Sequence, residues 1–169
     1  MSDHTPEYIT IQLTKGQTTI IDVVDADLAD LKWYTHKAKD RYYAMRTKRT
    51  KLDKHNIMLH KVILERMLDR PLEKDEMPDH VNTNNPLDNR RSNLRVANCS
   101  QNNMNKKKPS SNTSGYKGVA WDRCVGKWKV MIQYNYKKKH IGYFDNIEDA
   151  AQAYADASAK YHGEFGRTK

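Results

Sequence analysis

Apolar and polar residues alternate from Tyr8 to Leu13, and a second β-branched run, Thr18 to Val24, follows a turn signal at Lys15-Gly16-Gln17. This pattern predicts a β-hairpin at the start of the chain. Asp25 is expected to cap a short helix over Ala26 to Lys32, ahead of Trp33-Tyr34, which should anchor a small core. Tyr42 to Arg46 and Ile57 to Leu59 read as further strands, separated by the basic loop Lys48 to Lys54. His60 to Leu68 has helical spacing with Ile63, Leu64, Met67 and Leu68 as its apolar stripe, and Arg70-Pro71 ends it.

Beyond Pro71 the periodicity changes. Leu94 to Ala97 is short enough for a strand, and Asn98 followed by Gln101 has the form of a capping box opening a helix. Lys106 to Ser114, KKKPSSNTS, has the composition of a linker. Tyr116 to Asp122, Lys127 to Tyr134 and Lys137 to Phe144 read as three strands, with Trp128, Val130 and Ile132 on one face of the middle one and Lys127, Lys129, Met131 and Gln133 on the other. Asn146 should cap a final helix whose thin face is Ile147, Ala150, Ala151, Tyr154, Ser158 and Tyr161, with Gly163 just past its end.

Composition argues against one large core. The 169 residues are 37% hydrophobic, and the mean hydropathy is −0.97, so several small modules are expected. The net charge of +9 is uneven: residues 106–169 carry 13 Lys+Arg against 6 Asp+Glu, and residues 1–105 carry 17 against 15. The C-terminal part should therefore attract a polyanion, and with no long apolar run or basic amphipathic helix, nucleic acid fits better than a membrane surface. The two cysteines, Cys99 and Cys124, form no CxxC pair, so zinc is not expected and both read as reduced thiols. The N-terminus, MSDHTPEY, lacks a basic and apolar signal region, which points to a cytoplasmic protein.

The chemistry is concentrated between Asp79 and Asn105. Asp79 is a hard oxygen donor suited to Mg²⁺ or Mn²⁺, and the adjacent His80, on an extended segment, points to the opposite side of the backbone, where it could activate water. Asn102 falls in the first turn of the helix after Asn98. A strand-loop-strand-helix unit can fold that helix start back and bring its amide oxygen beside the Asp79 carboxylate.

These residues resemble the HNH motif, the ββα-metal unit of phage and intron homing endonucleases. His80 takes the place of the first motif histidine, Asn93 in the SNLR stretch that of the middle asparagine, and Asn102 the last position; Asp79 matches the metal-binding acid, and LHKVIL at Leu59 to Leu64 resembles the family's lead-in. The loop Val81 to Pro86 departs from the family, which often carries an acidic residue and a glycine there. The resemblance implies that His80 is the general base, that Asp79 and Asn102 hold the metal, and that Asn93 positions the loop and holds the His80 ring. Arg90, Arg91 and Arg95 are the candidates for phosphate contacts near the cut.

The stretch SGYKGVAWD, GKWKVMIQ and HIGYFDNIEDAAQAYADASAKYHGEFG resembles the plant ethylene-response-factor (Apetala-type) DNA-binding domain over almost all of residues 114–167. In that family the exposed sheet face enters the major groove. Carried over by position, Lys117, Gln133, Lys138 and His140 fall at base or phosphate contacts, with Lys127 and Lys129 nearby, while Ala120, Asp122 and Met131 replace contact residues. The plant domain's GC-rich target is therefore not expected to carry over.

Together these readings predict an α+β chain: an N-terminal β-rich region (1–55), an HNH ββα-metal module (56–105), a basic linker (106–114) and a three-stranded antiparallel sheet with one packed helix (115–169). The expected function is a site-directed, Mg²⁺- or Mn²⁺-dependent endonuclease acting on double-stranded DNA, as a monomer in the cytoplasm. A non-cleaving DNA-binding regulator is the alternative. An RNA-binding sheet is disfavoured, because Met131 and Gln133 stand where paired aromatics would be needed.

Overall fold

The computed structural model of the chain describes residues 8–50 and 53–168. It is a mixed α+β protein with several small antiparallel sheets and few helices, divided into two compact units, Met1–Ala97 and Asn98–Lys169. No helix among the described residues is long and apolar enough to cross a membrane.

The first unit opens with the expected hairpin, β1 (Tyr8–Gln12) and β2 (Thr18–Asp22), paired so that Thr10 faces Ile20. A meander follows: β3 (Tyr34–Ala38), β4 (Arg41–Arg49) and β5 (Lys54–Met58). β3 escapes the sequence pattern because its alternation is polar on both sides. β4 runs on through Lys48 and Arg49 and β5 starts at Lys54, so both ends of the expected basic loop are strand, and the Thr50 amide donates to the Asp53 carbonyl at 2.8 Å. Lys51 and Leu52 of that loop lie outside the described residues.

Helix α1 (Leu59–Leu68) buries Leu59, Ile63 and Leu64 against Ile11, Ile21, Leu28, Trp33 and Leu94. Met67, expected in its stripe, is 38% exposed, because the buried face is centred one turn earlier. The helix stops at Asp69, in the left-handed region (φ 52°), ahead of Pro71. The short helix predicted after Asp25 is instead a 3₁₀ segment, Val23–Asp30, and Asp25 does not cap it. Its carboxylate is buried and takes two arginines. The unit closes with a two-stranded ribbon, β6 (Met77–His80) and β7 (Leu94–Ala97).

The second unit begins at Asn98, whose side chain caps α2 (Cys99–Met104) in a full capping box with Gln101. The stretch expected as a linker is tied down by hydrogen bonds: the Asn112 amide group donates to the Tyr116 carbonyl (2.8 Å) and the Ser114 hydroxyl to that of Val119 (2.7 Å). β8 (Val119–Asp122), β9 (Lys127–Tyr134) and β10 (Lys137–Phe144) form one antiparallel sheet, with β9 central. Helix α3 (Ile147–His162), capped by Asn146, lays Ala150, Tyr154 and Ala157 on Val119, Val130 and Ile132. Close approach sets one residue type. At Gly118 (φ +73°) a Cβ would meet the Tyr154 ring at 2.1 Å and the Met131 carbonyl at 2.6 Å.

Candidate functional site

The reactive side chains of the first unit meet at the β6–β7 ribbon. Its register sets Asp79 opposite Arg95 and His80 opposite Leu94, and successive strand residues leave opposite faces. Asp79, 5% exposed, accepts from Nε of Arg95 at 3.0 Å. His80, 6% exposed, lies with its ring centroid 5.1 Å from that of His60 on α1 and 6.3 Å from that of Tyr43 on β4. Its Nε2 stands 3.1 Å from Oδ1 of Asn89.

Asparagine side chains shape the loop between the two strands. Oδ1 of Asn93 accepts from the Asn82 amide, its Nδ2 donates to the Asp88 carbonyl, both at 2.8 Å, and its carbonyl accepts from the Val81 amide at 2.9 Å. Asn93 therefore ties the two ends of the loop together, and the His80 ring is held by Asn89. The hairpin stitches in from outside: the Ile20 amide donates to the Leu87 carbonyl (3.1 Å) and the Asn89 amide to the Ile20 carbonyl (2.9 Å).

Burial pushes the His80 pKa below its ordinary value; the Asn89 hydrogen bond and the charges of Asp79 and Asp88 oppose this, and Arg41 adds to it. The ring is thus neutral at neutral pH, the state in which it accepts a proton. Burial, with His80 beside it, takes His60 down to about 3. His60 is a neutral packing partner.

The arginines expected at phosphates are each set against a carboxylate. Arg90 donates to Asp88 through Nε (2.9 Å) and Nη2 (2.7 Å). Arg91 does the same to Asp25 (2.8 and 3.1 Å), which Arg66 also reaches at 3.4 Å. Arg95 holds Asp79. No group of three or more His, Cys, Asp or Glu that could hold a metal occurs among the described residues. The expected ligands are a smaller oxygen set, one carboxylate and one amide, and Asn102 belongs to α2 of the second unit, its backbone amide donating to the Asn98 carbonyl at 2.9 Å.

In that unit the sheet face away from α3 carries the other candidates. Cross-strand pairing sets Lys138 beside Gln133, His140 beside Met131 and Tyr143 beside Lys129. Lys127 and Lys129 have acidic neighbours, Asp145 at 3.0 Å and Asp122 at 3.8 Å. Lys117 is turned inward. Its ammonium donates to the carbonyls of Met104 (2.6 Å) and Lys106 (2.8 Å), and burial brings its pKa down to about 8.

Among known proteins, the chain is 34% identical over 97 residues to Protein 3.8 of Escherichia phage T7, a match covering 57% of this chain and 78% of that protein. The chain belongs to the family of T7 Protein 3.8. No protein-family model matches it, and no solved structure does.

The Protein 3.8 name states no activity, so the site has to be argued from its residues. Sequence reasoning passed over Asn89, Thr19 and Tyr143. Asn89 stands directly before the candidate arginines Arg90 and Arg91, but its partner Thr19 is 70 positions away and no local signal links them. Tyr143 was legible from strand alternation in HIGYF only once the bulge between His140 and Gly142 is known, since it moves Tyr143 onto the face of His140.

Proposed function

We propose that this protein is a divalent-metal-dependent endonuclease of the HNH type, hydrolysing phosphodiester bonds of duplex DNA, with the sheet of its second unit holding the target. The observation that carries the reading is the buried, neutral imidazole of His80 adjacent to Asp79, its ring held by Asn89. His80 takes a proton from the attacking water as its oxygen bonds to phosphorus and the P–O3′ bond breaks; the departing 3′ oxygen takes a proton from solvent, giving 5′-phosphate and 3′-hydroxyl ends. Asn93 keeps the loop, and so the base, in place.

The residue of the first unit that would hold Mg²⁺ or Mn²⁺ is Asp79, whose oxygens are of the class these ions prefer and whose carboxylate already stabilises a cation, the Arg95 guanidinium. When bound, such an ion supplies stabilisation of the charge that develops on the phosphoryl and leaving oxygens.

The face bearing Lys138, Gln133 and His140 supports duplex DNA as the substrate, since cationic and amide side chains on a sheet suit groove and phosphate contacts. Kinship with a phage protein supports action inside an infected bacterial cell. One observation favours the alternative of a non-cleaving regulator, the Arg95 guanidinium seated on Asp79. Incubation of supercoiled DNA carrying the gene's own flanking region with Mg²⁺, Mn²⁺ or EDTA separates the two. Nicked or linear product that depends on metal is expected; a gel shift without cleavage under either metal leaves the regulator.

A further inference from the structure

We infer that Asn89, oriented by Thr19, is a positioning residue that fixes the tautomer of His80, keeping the proton on Nε2 and the lone pair on Nδ1. The inference rests on the nuclease reading for the role of that lone pair, and on geometry for its location.

The direction of each hydrogen bond follows from a backbone carbonyl, whose polarity cannot change. The Thr19 hydroxyl lies 2.6 Å from the Leu87 carbonyl oxygen, which only accepts, so the single hydroxyl proton points there. Toward Asn89, 2.7 Å away, Thr19 Oγ1 can then only accept, so Asn89 must present Nδ2 to it. The amide group is planar, and its other end, Oδ1, faces Nε2 of His80 at 3.1 Å. An amide oxygen only accepts, so Nε2 must carry hydrogen. In a neutral imidazole the second nitrogen then holds the lone pair.

The opposite amide orientation would set two acceptors together at Thr19. Asn89 and Thr19 are each 1% exposed, so solvent offers little to relieve that conflict. The backbone holds the same segment from both sides, Ile20 to Leu87 and Asn89 to Ile20. The N-terminal hairpin thereby acquires a role in the chemistry. When His80 gains a proton at Nδ1, Oδ1 still accepts from Nε2, so the ring keeps its place through the proton transfer.

The test is a long-range ¹H–¹⁵N correlation spectrum of the full-length protein labelled at histidine, recorded at pH 8, with His80 assigned by its absence in His80→Gln. The wild type is expected to show Nε2 protonated and Nδ1 bare. Asn89→Leu should lose that fixed pattern and cut metal-dependent DNA cleavage about 10- to 100-fold, the usual effect of removing a partner behind a reacting group. Thr19→Ser, which keeps the hydroxyl that orients the Asn89 amide, should retain the pattern and most of the rate. A wild-type spectrum with the proton on Nδ1 overturns the inference, with no variant needed. So does an Asn89→Leu protein with unchanged tautomer and unchanged rate. If no protein cleaves DNA, the nuclease reading fails, and the wild-type and Thr19→Ser spectra still decide the tautomer.

Discussion

Arg95 and Asp79 face each other across the β6–β7 ribbon with Nε and Oδ2 3.0 Å apart, both side chains nearly out of solvent. The guanidinium compensates a carboxylate that would otherwise be buried and charged. Removing it by Arg95→Ala should lower stability without divalent ions by roughly 3–5 kcal/mol, the range for breaking a buried pair from one side. Mg²⁺ should restore part of this loss if the carboxylate is a metal ligand. Urea unfolding with Mg²⁺ and with EDTA checks it, and equal Mg²⁺ effects on wild type and variant would count against Asp79 as a ligand.

Arg91 is committed to a buried carboxylate. Its guanidinium, with that of Arg66, neutralises the fully buried Asp25. Arg91→Ala is therefore expected to destabilise the first unit by a few kcal/mol, roughly 3 on the scale for a buried pair broken from one side. The salt dependence of DNA binding by the folded variant should match wild type. A change in that dependence at unchanged stability would restore Arg91 as a phosphate contact.

Lys138 and Lys117 should part company for the opposite reason. Lys138 is exposed on the sheet beside Gln133, and Lys138→Ala should reduce the slope of log K against log[salt] by about 1. Lys117 holds the carbonyls at the end of α2. Lys117→Ala should leave that slope alone and lower the melting temperature. Titration of fluorescent duplex DNA across a salt series reads both.

Much of the fold was legible because it is local. The hairpin, α1, the capping box at Asn98 and the three C-terminal strands follow from alternation, helical spacing and cap residues within a few positions of one another. That Asp79, His80 and Asn93 lie at one place in the fold was legible because they belong to one short stretch of sequence. The charge partners were not. Arg91 meets Asp25 from 66 positions away, and Asn89 meets Thr19 from 70, so their roles exist only once β2 is laid against the loop. Lys117 reads as a DNA contact from its position in the resemblance to the plant domain; its two carbonyl acceptors are set by where α2 ends.

His60 carries a pH signature. Its folded pKa, about 3, lies below the ordinary 6.5, so the unfolded chain binds the extra proton first as pH falls. Its contribution is fully present above pH 6.5 and is lost progressively as pH falls from there toward 3. His60→Phe should flatten the stability profile over that window relative to wild type. Denaturant unfolding at half-unit pH steps checks this, and an unchanged profile would show that His60 does not titrate on unfolding.

The central claim, that His80 is the base of a metal-dependent DNA endonuclease, is tested most directly by comparing wild type and His80→Ala on the same supercoiled DNA with Mg²⁺. The comparison is paired with a binding titration in EDTA. Wild type is expected to produce nicked or linear DNA with 5′-phosphate ends, and His80→Ala to bind with similar affinity while cutting at least 100-fold more slowly, in the range of general-base contributions of about 10²–10⁴. Equal cleavage by the two proteins, or binding without cleavage by both, would contradict it.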